Sequence, residues 1–143
     1  MSLFSKSIFI FCLIFIFTEA KANKSSFSDK EINEMMKIAA NTYSKSLPIV
    51  IDEVTSVIAI FAGNNRDLVY KYKIKTKKNL NSSERKAIIN RFRPIILRQE
   101  TNNYCTQPGL EVFRKNNITL EHNVVDVNNN YLFDVRIDNK FCN

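Results

Sequence analysis

The first 22 residues decide which part of this chain folds and in what compartment it does so. Lys6 precedes an unbroken run with an apolar body, Ser7-Ile8-Phe9-Ile10-Phe11-Cys12-Leu13-Ile14-Phe15-Ile16-Phe17. Thr18-Glu19-Ala20-Lys21-Ala22 then ends in the small-x-small pattern that signal peptidase reads. The run is short of the roughly 20 apolar residues that cross a bilayer. Cleavage after Ala22 is therefore expected, with residues 1–22 a leader and the product in the periplasm or fully secreted. Of 143 residues, removing 22 leaves 121, residues 23–143, a size that forms one domain with its own core.

An oxidising compartment gives the cysteines their meaning. Cys12 leaves with the leader, so Cys105 and Cys142 remain, an even number that is expected to pair. The bridge would close a loop of 37 residues. Loop entropy makes such a closure worth roughly 3–4 kcal/mol. Neither thiol belongs to a Cys-x-x-Cys pair, which argues against a redox centre, and His122 alone adds too few ligands for a zinc site. No metal and no cofactor is expected. The whole chain carries +7; the leader takes Lys6, Lys21 and Glu19 with it and leaves +6. A basic exported surface favours anionic lipid, glycan or an acidic protein face over nucleic acid.

The local signals order the elements. Ser28 and Glu31 form a capping box, with Phe27 and Ile32 placed as a hydrophobic staple, and Ile32, Met35, Met36, Ala39, Ala40 and Tyr43 recur at helical spacing until Pro48. From Ile49 to Thr76 the period becomes two, with turn residues at Ala62-Gly63-Asn64-Asn65-Arg66-Asp67, which predicts a hairpin whose second strand turns Lys71, Lys73 and Lys75 to water. Such a lysine row is either an anion-binding stripe or a guard on a sheet edge. Asn81 and Glu84 open a second helix with Ala87, Ile88, Phe92, Ile95, Ile96 and Leu97 on its apolar side and a kink or break expected at Pro94. Its other side carries Arg85, Lys86, Arg91, Arg93 and Arg98. A short helix is expected after Cys105, capped near Thr106, and then a second hairpin through the turn Asn128-Asn129-Asn130. The sum is an α+β domain in the order α-β-β-α-α-β-β, most simply an antiparallel four-stranded sheet of two β-hairpins with helices packed on one face.

Catalytic signatures are missing. The one histidine, His122, falls on the inward face of a predicted strand and reads as a core residue. Asp52 and Glu53 are neighbours expected on opposite faces of a strand, and Glu121 and Asp126 have no partner that spacing can locate. Two glycines, Gly63 and Gly109, cannot build a phosphate-cradling loop. The chain is therefore not expected to be an enzyme.

Tyr104-Cys105-Thr106-Gln107-Pro108-Gly109-Leu110-Glu111-Val112-Phe113, the Asn-rich hairpin and the closing Cys142 resemble a C-terminal pattern of small exported bacterial proteins: Cys-Ser/Thr-x-Pro, a short helix, a hairpin and a final cysteine. The resemblance implies the Cys105 to Cys142 bridge and, because some similar periplasmic proteins are immunity proteins or inhibitors, an inhibitory role. The expectation is thus a non-enzymatic periplasmic module, an inhibitor or immunity-type protein, that binds another protein in the envelope. The alternative is an envelope anion binder for lipid, lipopolysaccharide or glycan, with Lys71, Lys73, Lys75, Arg91 and Arg93 as candidate anion-binding residues. Arginines without interleaved aromatics argue against nucleic acid as the partner. Oligomeric state is left open.

Overall fold

The structure is a computed structural model and describes residues 27–142, so the expected leader and its cleavage site lie outside the described residues. Helix α1, Asp29–Ser44, starts at Ser28, whose side chain accepts from the Glu31 N–H while the Glu31 carboxylate accepts from the Ser28 N–H at 2.9 Å. Its stripe of Ile32, Met36, Ala39, Ala40 and Tyr43 is buried. Strand β1 is two residues long, Ile49–Val50, and folds back on β2, Thr55–Ala62, through a turn in which Asp52 Oδ1 accepts the N–H groups of Val54 (2.8 Å) and Thr55 (2.7 Å). Asp52 and Glu53 are thus turn residues rather than opposite faces of one strand. Strand β3, Asp67–Ile74, follows a tight turn with Asn65 and Arg66 at φ 56° and 65°, the left-handed pair that suits the twist of a two-residue hairpin.

Helix α2, Ser82–Thr106, is capped by Asn81 and Glu84 and runs through Pro94 without a break. Cys105 and Thr106 end this helix; Thr106 does not cap the next one. A single 3-10 turn, Pro108–Leu110, leads into the short α3, Glu111–Lys115. Strands β4, Thr119–Val125, and β5, Tyr131–Ile137, form the second hairpin, and a 3-10 turn at Asn139–Cys142 closes the chain. Cys105 and Cys142 are bonded with their Cα atoms 5.2 Å apart, which ties the end of α2 to the end of the chain.

The expected four-stranded antiparallel sheet is corrected in two ways. It has five strands in the order β1-β2-β3-β4-β5, and β3 pairs with β4 in parallel, Tyr70 beside His122 and Tyr72 beside Val124. Parallel neighbours need a crossover of a dozen or more residues, and α2 with α3 supplies it. The two hairpins therefore share one mixed sheet, and β3 lies at its centre rather than at an edge. Its lysines cannot be edge guards.

One face of the sheet carries Val57, Ile60, Leu68, Tyr70, Tyr72, Ile74, Leu120, Val124, Phe133, Val135 and Ile137, all buried in a single core with the α1 stripe and Tyr104 of α2. A bulge between Val57 and Ala59 breaks the strict alternation of β2 and brings both Val57 and Ile60 to this face. Helix α1 packs over β2 and α2 over β5. No described helix packs on the other, open face.

Candidate functional surface

Groups able to move a proton near neutral pH are sealed inside. His122 is 0% exposed, with Nδ1 3.2 Å from the Tyr72 hydroxyl and its ring stacked 5.6 Å from that of Tyr70. Burial pushes its pKa down to about 3, which keeps it neutral, and Nε2 has no hydrogen-bond partner among the described residues. Glu100 of α2 is also buried, and burial lifts its pKa to about 7 against the lowering effect of the Asn103 amide at 3.5 Å. Burial first, and the nearby Glu100 charge second, raise the Tyr72 pKa well above its usual value. Sequence reasoning missed this cluster, since Glu100 and Asn103 show no apolar spacing that marks them as inward.

The carboxylates do not converge on a solvent-filled site. Asp126 is 2% exposed and organises the β4–β5 turn, accepting from the N–H groups of Asn128 and Asn130 at 2.9 Å each and from Arg85 at 3.4 Å. Burial alone would raise its pKa, but these bonds with that from the Asn130 amide outweigh it and hold the carboxyl low. Glu121 and Asp67 (2.8 Å) both bind Arg136 on the open face of the sheet. Among the described residues no group of three His, Cys, Asp or Glu is placed to hold a metal ion. No described helix is long and apolar enough to cross a membrane.

Outward basic charge is concentrated in one span of the chain, and large apolar side chains are scattered over the surface. Residues 71–98 hold ten Lys and Arg against one acid, Glu84, whereas the rest of the described chain has eight against twelve. Lys71 and Lys73 lie half-buried on the open sheet face, in register with Asn123 and Val125 of β4. Lys75 is exposed just beyond β3, and Arg91 and Arg93 are exposed on α2, on the other side of the sheet. The five candidate cations therefore do not meet at one point: the sheet separates Lys71 and Lys73 from Arg91 and Arg93. Arg85 is taken up structurally by Asp126 and the Tyr131 carbonyl, and Lys77 by Glu84. Lys86, Arg91, Arg93 and Arg98 have no carboxylate partner among the described residues.

No protein-family model matches this chain, and no curated protein matches it in sequence. Solved structures do share its fold. A protein of Pseudomonas aeruginosa described as secreted superposes with a TM-score of 0.64 at 15% identity, over 80% of this chain and 96% of that one. EpsS, the pilotin of the Vibrio vulnificus type 2 secretion system, gives 0.60 at 13% identity over 80% and 94%. AspS, a type II secretion system pilotin of Vibrio cholerae, gives 0.55 at 9% over 79% and 94%. At these identities the likeness is one of fold.

Proposed function

We propose that this chain is an exported, non-enzymatic module that binds another protein of the cell envelope. One disposition of groups carries the reading: His122, the one histidine, and Glu100, among the described residues the one carboxyl lifted toward neutrality, are shut in the core, while cations and large apolar side chains such as Ile38, Phe61 and Phe141 face solvent. The shared fold supports it, because two of the similar structures are pilotins of secretion systems. On this reading residues 1–22 are removed on export, residues 23–143 form the single working domain, and the Cys105–Cys142 bridge braces it in the periplasm. The inhibitory or immunity role implied by the C-terminal pattern and a pilot role of the kind the neighbours suggest are two forms of one activity. They differ in whether the bound partner is blocked or delivered.

The basic span from Lys71 to Arg98 favours a second reading, an envelope anion binder for lipid, lipopolysaccharide or glycan. Capture from envelope extract on the tagged, oxidised chain at low and high salt separates the two. A single protein retained through high salt supports the module; lipid or glycan that washes off with salt supports the anion binder, and nothing above background sinks both.

A further inference from the structure

The outward side of α2 has a seven-residue period. Ala87, Asn90, Pro94, Leu97 and Thr101 follow at alternating steps of three and four, which places them in one line along a helix. Lys86 and Arg93, seven apart, run along one side of that line, and Arg91 and Arg98, seven apart, along the other. All of these side chains are exposed except Thr101, which is half-buried. The core-facing side of the same helix is a different set, Ile88, Ile89, Phe92 and Ile96. In a paired helix the line would occupy the seam, and from 86 to 98 every flanking position is basic. Such flanks set which partner a helix accepts.

Two further features extend the face. Pro94 has no N–H, so the Asn90 carbonyl has no helical donor and is left as an acceptor on the seam. Toward its C-terminal end the line runs into a shallow groove of about 410 Å³ lined by Arg98, Thr101, Asn102, the Cys105–Cys142 bridge and Phe141, which is 47% exposed.

We propose that this face of α2 seats one acidic helix of a partner protein, whose Asp or Glu residues oppose Lys86, Arg91, Arg93 and Arg98 and whose end places an apolar side chain in the groove against Phe141. The proposal rests on the protein-binding reading above and specifies the chemistry of the partner. A second copy of this chain would set cation against cation. A membrane-lying helix needs large apolar side chains between its cations, whereas here Leu97 is the only large aliphatic residue on the line. Charge thus supplies most of the recognition, and the binding is salt-sensitive.

The test uses the oxidised full-length export product and a synthetic acidic helical peptide of three heptads with Glu at every flanking position. Controls are a scrambled peptide of the same composition, a basic mirror peptide, and phosphatidylglycerol/phosphatidylethanolamine vesicles. The patterned acidic peptide should bind at least about tenfold more tightly than the scrambled one, a ratio that several aligned ion pairs supply. The variant K86E/R91E/R93E/R98E should lose that binding and take up the basic peptide. The variant K30E/K37E/K45E/K115E, with the same charge change at exposed sites outside residues 71–98, should bind as the parent does. Equal binding of patterned and scrambled peptides, an equal loss in the second variant, capture by vesicles alone, or no peptide binding would each overturn the proposal. In the envelope capture, a partner kept by the parent and by K86E/R91E/R93E/R98E alike would show that another face is used while the protein-binding reading stands. A parent that keeps no partner would instead overturn that reading itself.

Discussion

Helices α1 and α2 start with the same device and use their surfaces differently. Each opens on a capping box, Ser28 with Glu31 and Asn81 with Glu84. Yet the 16-residue α1 buries five side chains with apolar bodies, while the 25-residue α2 fully buries only Glu100, Asn103 and Tyr104. Its isoleucines and Phe92 are half-covered, and its outer side carries four cations. Helix α1 contributes a fully buried stripe; α2 is a crossover that lies half-covered on β5, is tied at its ends by Arg85 on Asp126 and by the disulfide, and turns its basic side outward.

The difference is broken most strongly at the core. Ile32 is 0% exposed, so Ile32→Ala should cost roughly 4 kcal/mol, the upper part of the usual range for a buried aliphatic truncation. Ile88→Ala on half-covered α2 should cost under about half of that. Urea unfolding of both variants checks it, and equal costs would mean that α2 is as tightly packed as α1. Next in size is the bridge. Replacing Cys105 and Cys142 with Ser frees a loop of 37 residues and should cost about 3–4 kcal/mol. Hydrogen exchange should then rise first in the C-terminal turns of α2 and not in α1.

How much of this could be read from the chain divides along the same line. Caps, stripes and hairpin turns are devices of residues a few positions apart, and α1, β2–β3 and β4–β5 were legible from Ser28 and Glu31, Asn64 to Arg66 and Asn128 to Asn130. The parallel pairing of Tyr70 with His122 joins residues 52 positions apart and leaves no local mark, so an antiparallel sheet was expected in its place. The bulge in β2 and the two-residue β1 were hidden by an apolar run that fits either register. On α2 Arg91 and Arg93 were named as candidate anion-binding residues but their period was not used, although the seven-residue spacing of Lys86 with Arg93 and of Arg91 with Arg98 was present in the letters.

Glu100 marks the weak place in the packing of α2, and pH reads it. Its pKa is raised to about 7 when folded, so between about pH 4.5 and 7 the folded chain holds a proton that the unfolded chain has lost, and stability falls as pH rises through that window. His122 acts in the opposite sense. It stays neutral when folded down to about pH 3, so its contribution is lost as pH falls below about 6.5. The two slopes oppose each other between about pH 4.5 and 6.5, which flattens the parent's profile there. Glu100→Gln removes one of them. The stability of this variant relative to the parent should grow by about 3 kcal/mol from pH 4.5 to 7. Parallel profiles would mean that Glu100 reaches water and that α2 opens over it.

The smallest effect separates the two helices by where the loss appears. Ser28→Ala and Asn81→Ala each remove a side-chain cap, worth about 1 kcal/mol in a helix that unfolds with the whole domain. For α1, whose first turn places Ile32 directly in the core, the full amount should appear in global unfolding. For α2 the first turn covers no fully buried residue of its own, so the cap can be lost by local fraying. Asn81→Ala should therefore cost only a few tenths of a kcal/mol globally. It should also speed amide exchange at Glu84 and Arg85 and loosen the Arg85 contact to Asp126. Equal global costs for the two substitutions would mean that α2 is as cooperative with the core as α1, and that its exposed basic side belongs to a rigid wall rather than to a half-covered helix.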